Sequence, residues 1–143
     1  MKMLLLRAIL LLFVSGLPLN VEACDYGCPN SANELQCVIR FYPEIYQENP
    51  EYFWKVLNRS RDSALSCSSL KVTTDFLRIV RLSNSGADLE EFVSKGIETL
   101  CAKQPVCFKR AMSMLDEKSR RNIKMKLEKP LYFETGEIFA CYR

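Results

Sequence analysis

Histidine is absent from this 143-residue chain, and the absence narrows its chemistry more than any residue present. Without an imidazole no side chain titrates unperturbed near neutral pH. His-dependent ribonucleases and phospholipases, Ser-His and Cys-His hydrolases and His-ligated metal sites are therefore excluded. Carboxylate chemistry survives: a glycosidase needs only two suitably spaced acids, and the chain has 17 Asp and Glu residues, none singled out by a motif. No two cysteines form a CxxC pair, which disfavours zinc, and neither metal nor cofactor is expected. The chain also lacks an apolar run of the roughly 18 residues that a spanning helix needs. It has no repeat and no low-complexity linker, so one domain is expected.

What is there begins with a secretory address. Lys2 and Arg7 give a positive start, Ala8 to Val14 an apolar stretch, and Val21-Glu22-Ala23 small residues before a cut. Cleavage after Ala23 makes residues 1–23 a signal peptide and residues 24–143 a soluble, secreted, cysteine-rich domain. All seven cysteines, Cys24, Cys28, Cys37, Cys67, Cys101, Cys107 and Cys141, fall in that domain, where the compartment is oxidising. Three disulfides use six of them and leave one. The connectivity stays open, with about 105 arrangements counting the choice of the odd cysteine. Chain ends tend to be exposed, so Cys24 and Cys141 are the candidates for the odd thiol, and a disulfide-linked homodimer is one outcome.

The pattern of apolar residues is helical almost throughout. Ser31 with Glu34 reads as a capping box before a helix that runs to Pro43. Asn49-Pro50-Glu51 supplies a cap, a proline at the first helical position and an acid in the first turn. A third helix, capped near Thr73 or Thr74, carries Phe76, Leu77, Ile79 and Val80. Ser83-Asn84-Ser85-Gly86 is a loop, and Leu89, Phe92, Val93, Ile97 and Leu100 form the best stripe in the chain. Pro105 opens another helix, with Phe108, Ala111, Met112 and Leu115, and Ile123 and Leu127 mark a shorter one before Pro130. The tail around Glu134 to Glu137 reads as a short hairpin, a final helical turn or an extended clasp closed through Cys141. The fold class is all-α: a disulfide-stapled domain of about five helices.

Two features bear on function. Asn58-Arg59-Ser60 is a glycosylation sequon. From Lys103 to Lys129 nine basic residues face three acidic ones, a balance of +6, and Lys118, Arg120, Arg121, Lys124 and Lys126 form a patch suited to an anionic partner. The expectation is a secreted interaction protein without catalytic activity: a signalling ligand, modulator or effector that binds an extracellular protein or receptor, with an anionic glycan or membrane surface as further partners and no nucleic acid. A carrier of small hydrophobic ligands or lipids, using the apolar stripes with Phe108 and Met112 as a cavity lining, is the second reading. A carboxylate-only hydrolase is the third.

Overall fold

Helices begin where local chemistry satisfies their first free N–H groups, and most boundaries here show that chemistry directly. The computed structural model describes residues 34–142, so the expected signal peptide, Ser31, Cys24 and Cys28 lie outside the described residues. Eight α-helices and no strand occur among those described: α1 (Glu34–Arg40), α2 (Tyr42–Glu48), α3 (Pro50–Leu65), α4 (Leu70–Leu77), α5 (Ala87–Lys103), α6 (Pro105–Ser113), α7 (Glu117–Glu128) and α8 (Thr135–Tyr142). A 3-10 segment, Arg78–Leu82, follows α4. The all-α class holds, with more and shorter helices than five.

The signals at Asn49 and Pro105 act as expected. Asn49 caps α3, its side chain accepting from the Tyr52 N–H at 3.0 Å with Pro50 in the first turn, and Pro105 opens α6. Pro43 does not end a helix. It sits in the first turn of α2, where its missing N–H costs nothing, and the break falls at Phe41, which leaves helical geometry at φ −107°, ψ 32°. The helix expected to be capped at Thr73 or Thr74 starts earlier, capped by Ser69. The two threonines bond back instead, Thr73 to the Ser69 carbonyl at 3.1 Å and Thr74 to the Leu70 carbonyl at 2.8 Å. The tail is helical and not a hairpin. The Glu137 carboxylate reaches back to the Glu134 N–H at 2.7 Å, half of a capping box, and starts α8.

α5 is the axis of the fold, with α3, α6, α7, α8 and the 3-10 segment packed against it. Its Leu89, Val93, Ile97 and Leu100 are wholly buried, as are Phe53 and Leu57 of α3, Phe76 and Leu77 of α4 and Ile123 of α7. Gly96 permits the closest approach: a Cβ there would lie 2.8 Å from Cζ of Phe76. Phe108 is buried and Met112 packs against the same core, so the stripes read as a possible cavity lining are in contact with other side chains. Five rings, Tyr42, Tyr46, Phe53, Trp54 and Phe92, follow one another at centroid distances of 5.2 to 6.3 Å and join α2, α3 and α5.

Two disulfides brace this frame. Cys67 and Cys107, with Cα atoms 6.4 Å apart, tie the α3–α4 turn to α6, and Cys67 itself adopts a left-handed φ of 49°. Cys101 and Cys141, 5.4 Å apart, fasten α8 to α5. The tail is thus helical, as the second of its three readings had it, and not an extended clasp; the bridge through Cys141 fastens it, so Cys141 is not the odd thiol. Cys37 is also disulfide-bonded.

Candidate functional site

A cleft with several convergent polar groups lies beside α5. It has a volume of about 360 Å³ and opens at the surface between α5, α7 and the segment that leads into α8. Its floor comes from α5: Ser94 and Glu98 are 2% and 1% exposed, next to Val93 and Ile97 of the core stripe. Two polar residues one turn apart on the flank of an apolar stripe must find partners inside the protein. Both do.

Glu98 is held by three consecutive backbone N–H groups. Leu131 donates to one carboxylate oxygen at 2.9 Å, and Tyr132 and Phe133 donate to the other at 2.7 and 3.2 Å. Successive N–H groups that converge in this way form an anion-binding concavity, here filled by a side chain of the same molecule. The wall opposite is closed by Lys126, which pairs with Glu90 and lies 3.4 Å from the Ser94 hydroxyl, itself a donor to Glu90 at 3.2 Å. No buried side-chain nitrogen or oxygen among the described residues lacks a partner.

The consequence for chemistry is direct. Glu90 and Glu98 are the two acids of the cleft, they stand two helical turns apart, and both carboxylates are committed, one to an ammonium and a hydroxyl, the other to three amides. Nothing in this arrangement resembles an acid and base poised over a shared bond. Among the described residues no group of three Cys, Asp or Glu is placed to hold a metal. No helix among them is long and apolar enough to cross a membrane.

The clamp has a second effect, since fixing the backbone of 131–133 fixes what those residues display. Leu131 and Tyr132 are 67% and 40% exposed, and Met125 of α7, on the same cleft, is 54% exposed. Lys129 lines the cleft beside them, and the Lys95 ammonium lies 5.9 Å from the centre of the Tyr132 ring. Partial desolvation of the phenol, with Glu91, Glu98 and Glu90 nearby, raises the Tyr132 pKa above its usual value.

The expected basic patch is divided by this geometry. α7 buries Ser119, Ile123 and Leu127, so Lys118, Arg121 and Lys124 face solvent while Arg120 is half-buried on one flank. Lys126 is turned to the cleft and neutralised by Glu90. Arg121 pairs with Glu117 one turn away at 2.9 Å. The helix starts at Asp116, whose carboxylate accepts from the N–H of Ser119 at 2.9 Å and from its hydroxyl at 2.8 Å, with Arg81 at 3.1 Å. The Ser119 backbone bond, then its hydroxyl, then Arg81, hold the Asp116 carboxyl far below the usual carboxylate range.

Asn58 sits in the middle of α3, half-buried, with its amide donating to the Trp54 carbonyl at 2.8 Å. A glycan would replace one hydrogen of that nitrogen and leave a single N–H for this bond. The residues that sequence reasoning missed are Glu98, Ser94 and Glu90. The one local sign of them was the pair Ser94 and Glu98, four apart and bordering the apolar stripe. No protein-family model, curated protein or solved structure matches the chain.

Proposed function

We propose that this chain is a secreted interaction protein that binds an acidic surface of another extracellular protein through the rim formed by Met125, Leu131 and Tyr132. The observation that carries the reading is the Glu98 clamp. A buried carboxylate spends three backbone hydrogen bonds on holding still a segment whose Leu131 and Tyr132 side chains point outward, with Phe133 packed on the core. A segment needed only to link α7 to α8 has no use for large exposed apolar groups. Tyr and Met are enriched in the centres of protein interfaces, and rigid display lowers the entropy lost on binding. Lys95 and Lys129 at the rim, with Lys118 and Lys124 further out on α7, favour a partner of negative potential and speed its approach. The disulfides fit an oxidising compartment, in agreement with the leader sequence.

The test is saturable binding of labelled, secreted protein to cells, compared between wild type and Leu131→Asp/Met125→Asp. Loss of binding in the variant, and weakening with added salt in the wild type, is the expected result. Equal binding by the variant would reject this face. Binding to protein-free vesicles of phosphatidylserine and phosphatidylcholine, abolished by the same substitutions, would replace the protein partner with a membrane. A lipid recovered in equimolar amount by solvent extraction of the purified protein would favour the carrier reading instead.

A further inference from the structure

The other flank of α5 carries a second cleft, of about 410 Å³, between α3 and α5. On α5, Lys95, Thr99 and Lys103 follow at four-residue intervals, which sets them in one row along the helix. The two lysines are separated by about 12 Å along the axis. Arg61 and Leu65 form the facing wall from α3, and Phe92 lies alongside. Arg61 rests over the Phe92 ring at 5.4 Å and shares its guanidinium with Asp62 at 3.0 Å. Lys95 and Lys103 are in no ion pair among the described residues. The cleft therefore carries three cations against one carboxylate, with its positive charge open to solvent.

We infer that this cleft binds a linear sulfated glycan, with sulfate groups on Lys95 and Lys103, Arg61 opposite, and sugar rings against Leu65 and Phe92. A single small anion reaches one ammonium at a time, whereas charges repeated along an extended chain reach both. An acidic peptide is the poorer fit. Both walls are helices whose backbone groups are already paired, and the Thr99 hydroxyl donates to the Lys95 carbonyl at 2.7 Å. An extended peptide would find no free backbone N–H or C=O there to form a ladder with its own. A sulfated sugar carries its charge on substituents and makes no such demand. The inference shares the extracellular setting and Lys95 with the protein-binding face, Lys95 standing between the two clefts, while the other residues of each lie on opposite flanks of α5.

Calorimetry of the purified full chain with a heparin-derived hexasaccharide at physiological salt tests it. Binding that weakens as salt rises is expected. Lys95→Gln/Lys103→Gln should weaken it about tenfold through loss of two charge-assisted contacts, while Lys118→Gln/Lys124→Gln on α7 leaves it nearly unchanged. Unaltered thermal melting of each variant shows that the fold is kept, as exposed lysines allow. No binding of the hexasaccharide overturns the inference. So does an equal loss in the α7 variant, which would mean a diffuse positive field, and so does equally tight binding of polyglutamate or of the desulfated sugar. Cell binding lost through Leu131→Asp/Met125→Asp with hexasaccharide affinity intact would separate this site from the protein-binding face.

Discussion

Replacing Glu98 should release the segment before α8 without unfolding the core, and the size of the effect follows from its three bonds. Each hydrogen bond to a charged group contributes about 1.5–3 kcal/mol net. The three do not add, because burying the carboxylate costs several kcal/mol that the amides only offset. Glu98→Gln keeps the shape and one acceptor oxygen but turns an NH2 group toward a backbone donor, for a loss of about 2–3 kcal/mol. Glu98→Ala strands all three N–H groups, for about 3–5 kcal/mol. The Cys101–Cys141 bridge keeps α8 tethered, so opening is confined to the residues between α7 and α8. Hydrogen exchange read by residue is the assay. In Glu98→Gln the amides of Leu131, Tyr132 and Phe133 should exchange about 30 to 150 times faster, the factor corresponding to about 2–3 kcal/mol. Amides of α5 near Val93 should hardly change. Unchanged protection at 131–133 would refute the clamp, and equal acceleration throughout the molecule would show that Glu98 supports the whole core and not one segment. The display argument adds a consequence: Glu98→Gln should weaken cell binding although Leu131 and Tyr132 are intact.

Asp116→Ala should cost about 1 kcal/mol through loss of the α7 cap. Asp116→Asn keeps an acceptor oxygen but not the charge, so at neutral pH it should lose the part of the stability that wild type loses on acidification, and the gap between the two should close as the pH falls. The folded pKa of Asp116 is lowered, so its contribution is complete above the ordinary carboxylate value of about 4 and fades as the pH falls toward the folded one. Identical acid melts for wild type and Asp116→Asn would contradict this. Gly96→Ala should destabilise by about 1–2 kcal/mol in urea titration. The clash with Phe76 outweighs the gain in helix propensity, and Phe76→Leu should restore part of the loss. A more stable Gly96→Ala protein would show that the core yields easily there. Non-reducing peptide mapping should find Cys67 joined to Cys107 and Cys101 to Cys141. With Cys37 also bridged, elimination leaves Cys24 or Cys28 as its partner and the other as the odd thiol. A dimer on thiol-blocked, non-reducing gels should then vanish on replacing the odd one with serine, and one that persists with Cys24, Cys28 and Cys37 all replaced would reject the assignment.

The sequence by itself determined whatever depends on neighbours a few residues apart. The cap at Asn49, the prolines opening α3 and α6, and the stripe of α5 are local, and each appears in the fold where its residues place it. Local signals also misled where two were in competition. Pro43 both ends one helix and suits the start of the next, and packing of Ile45 and Tyr46 on Phe53 favours the second role. Thr73 and Thr74 are good caps and equally good buried residues, and the core took them. The tail could not be assigned because its short apolar groups fit strand and helix alike until Cys141 met Cys101, 40 residues away. Only the tertiary structure made the site. Glu98 meets its amides across 33 to 35 residues, and Lys126 meets Glu90 across 36. No periodicity carries such pairs, because they are set by how α5, α7 and the tail pack and not by the propensity of any segment. The same packing turned a run of charge into two faces: it sent Lys126 inward to a partner and left Lys118 and Lys124 in water.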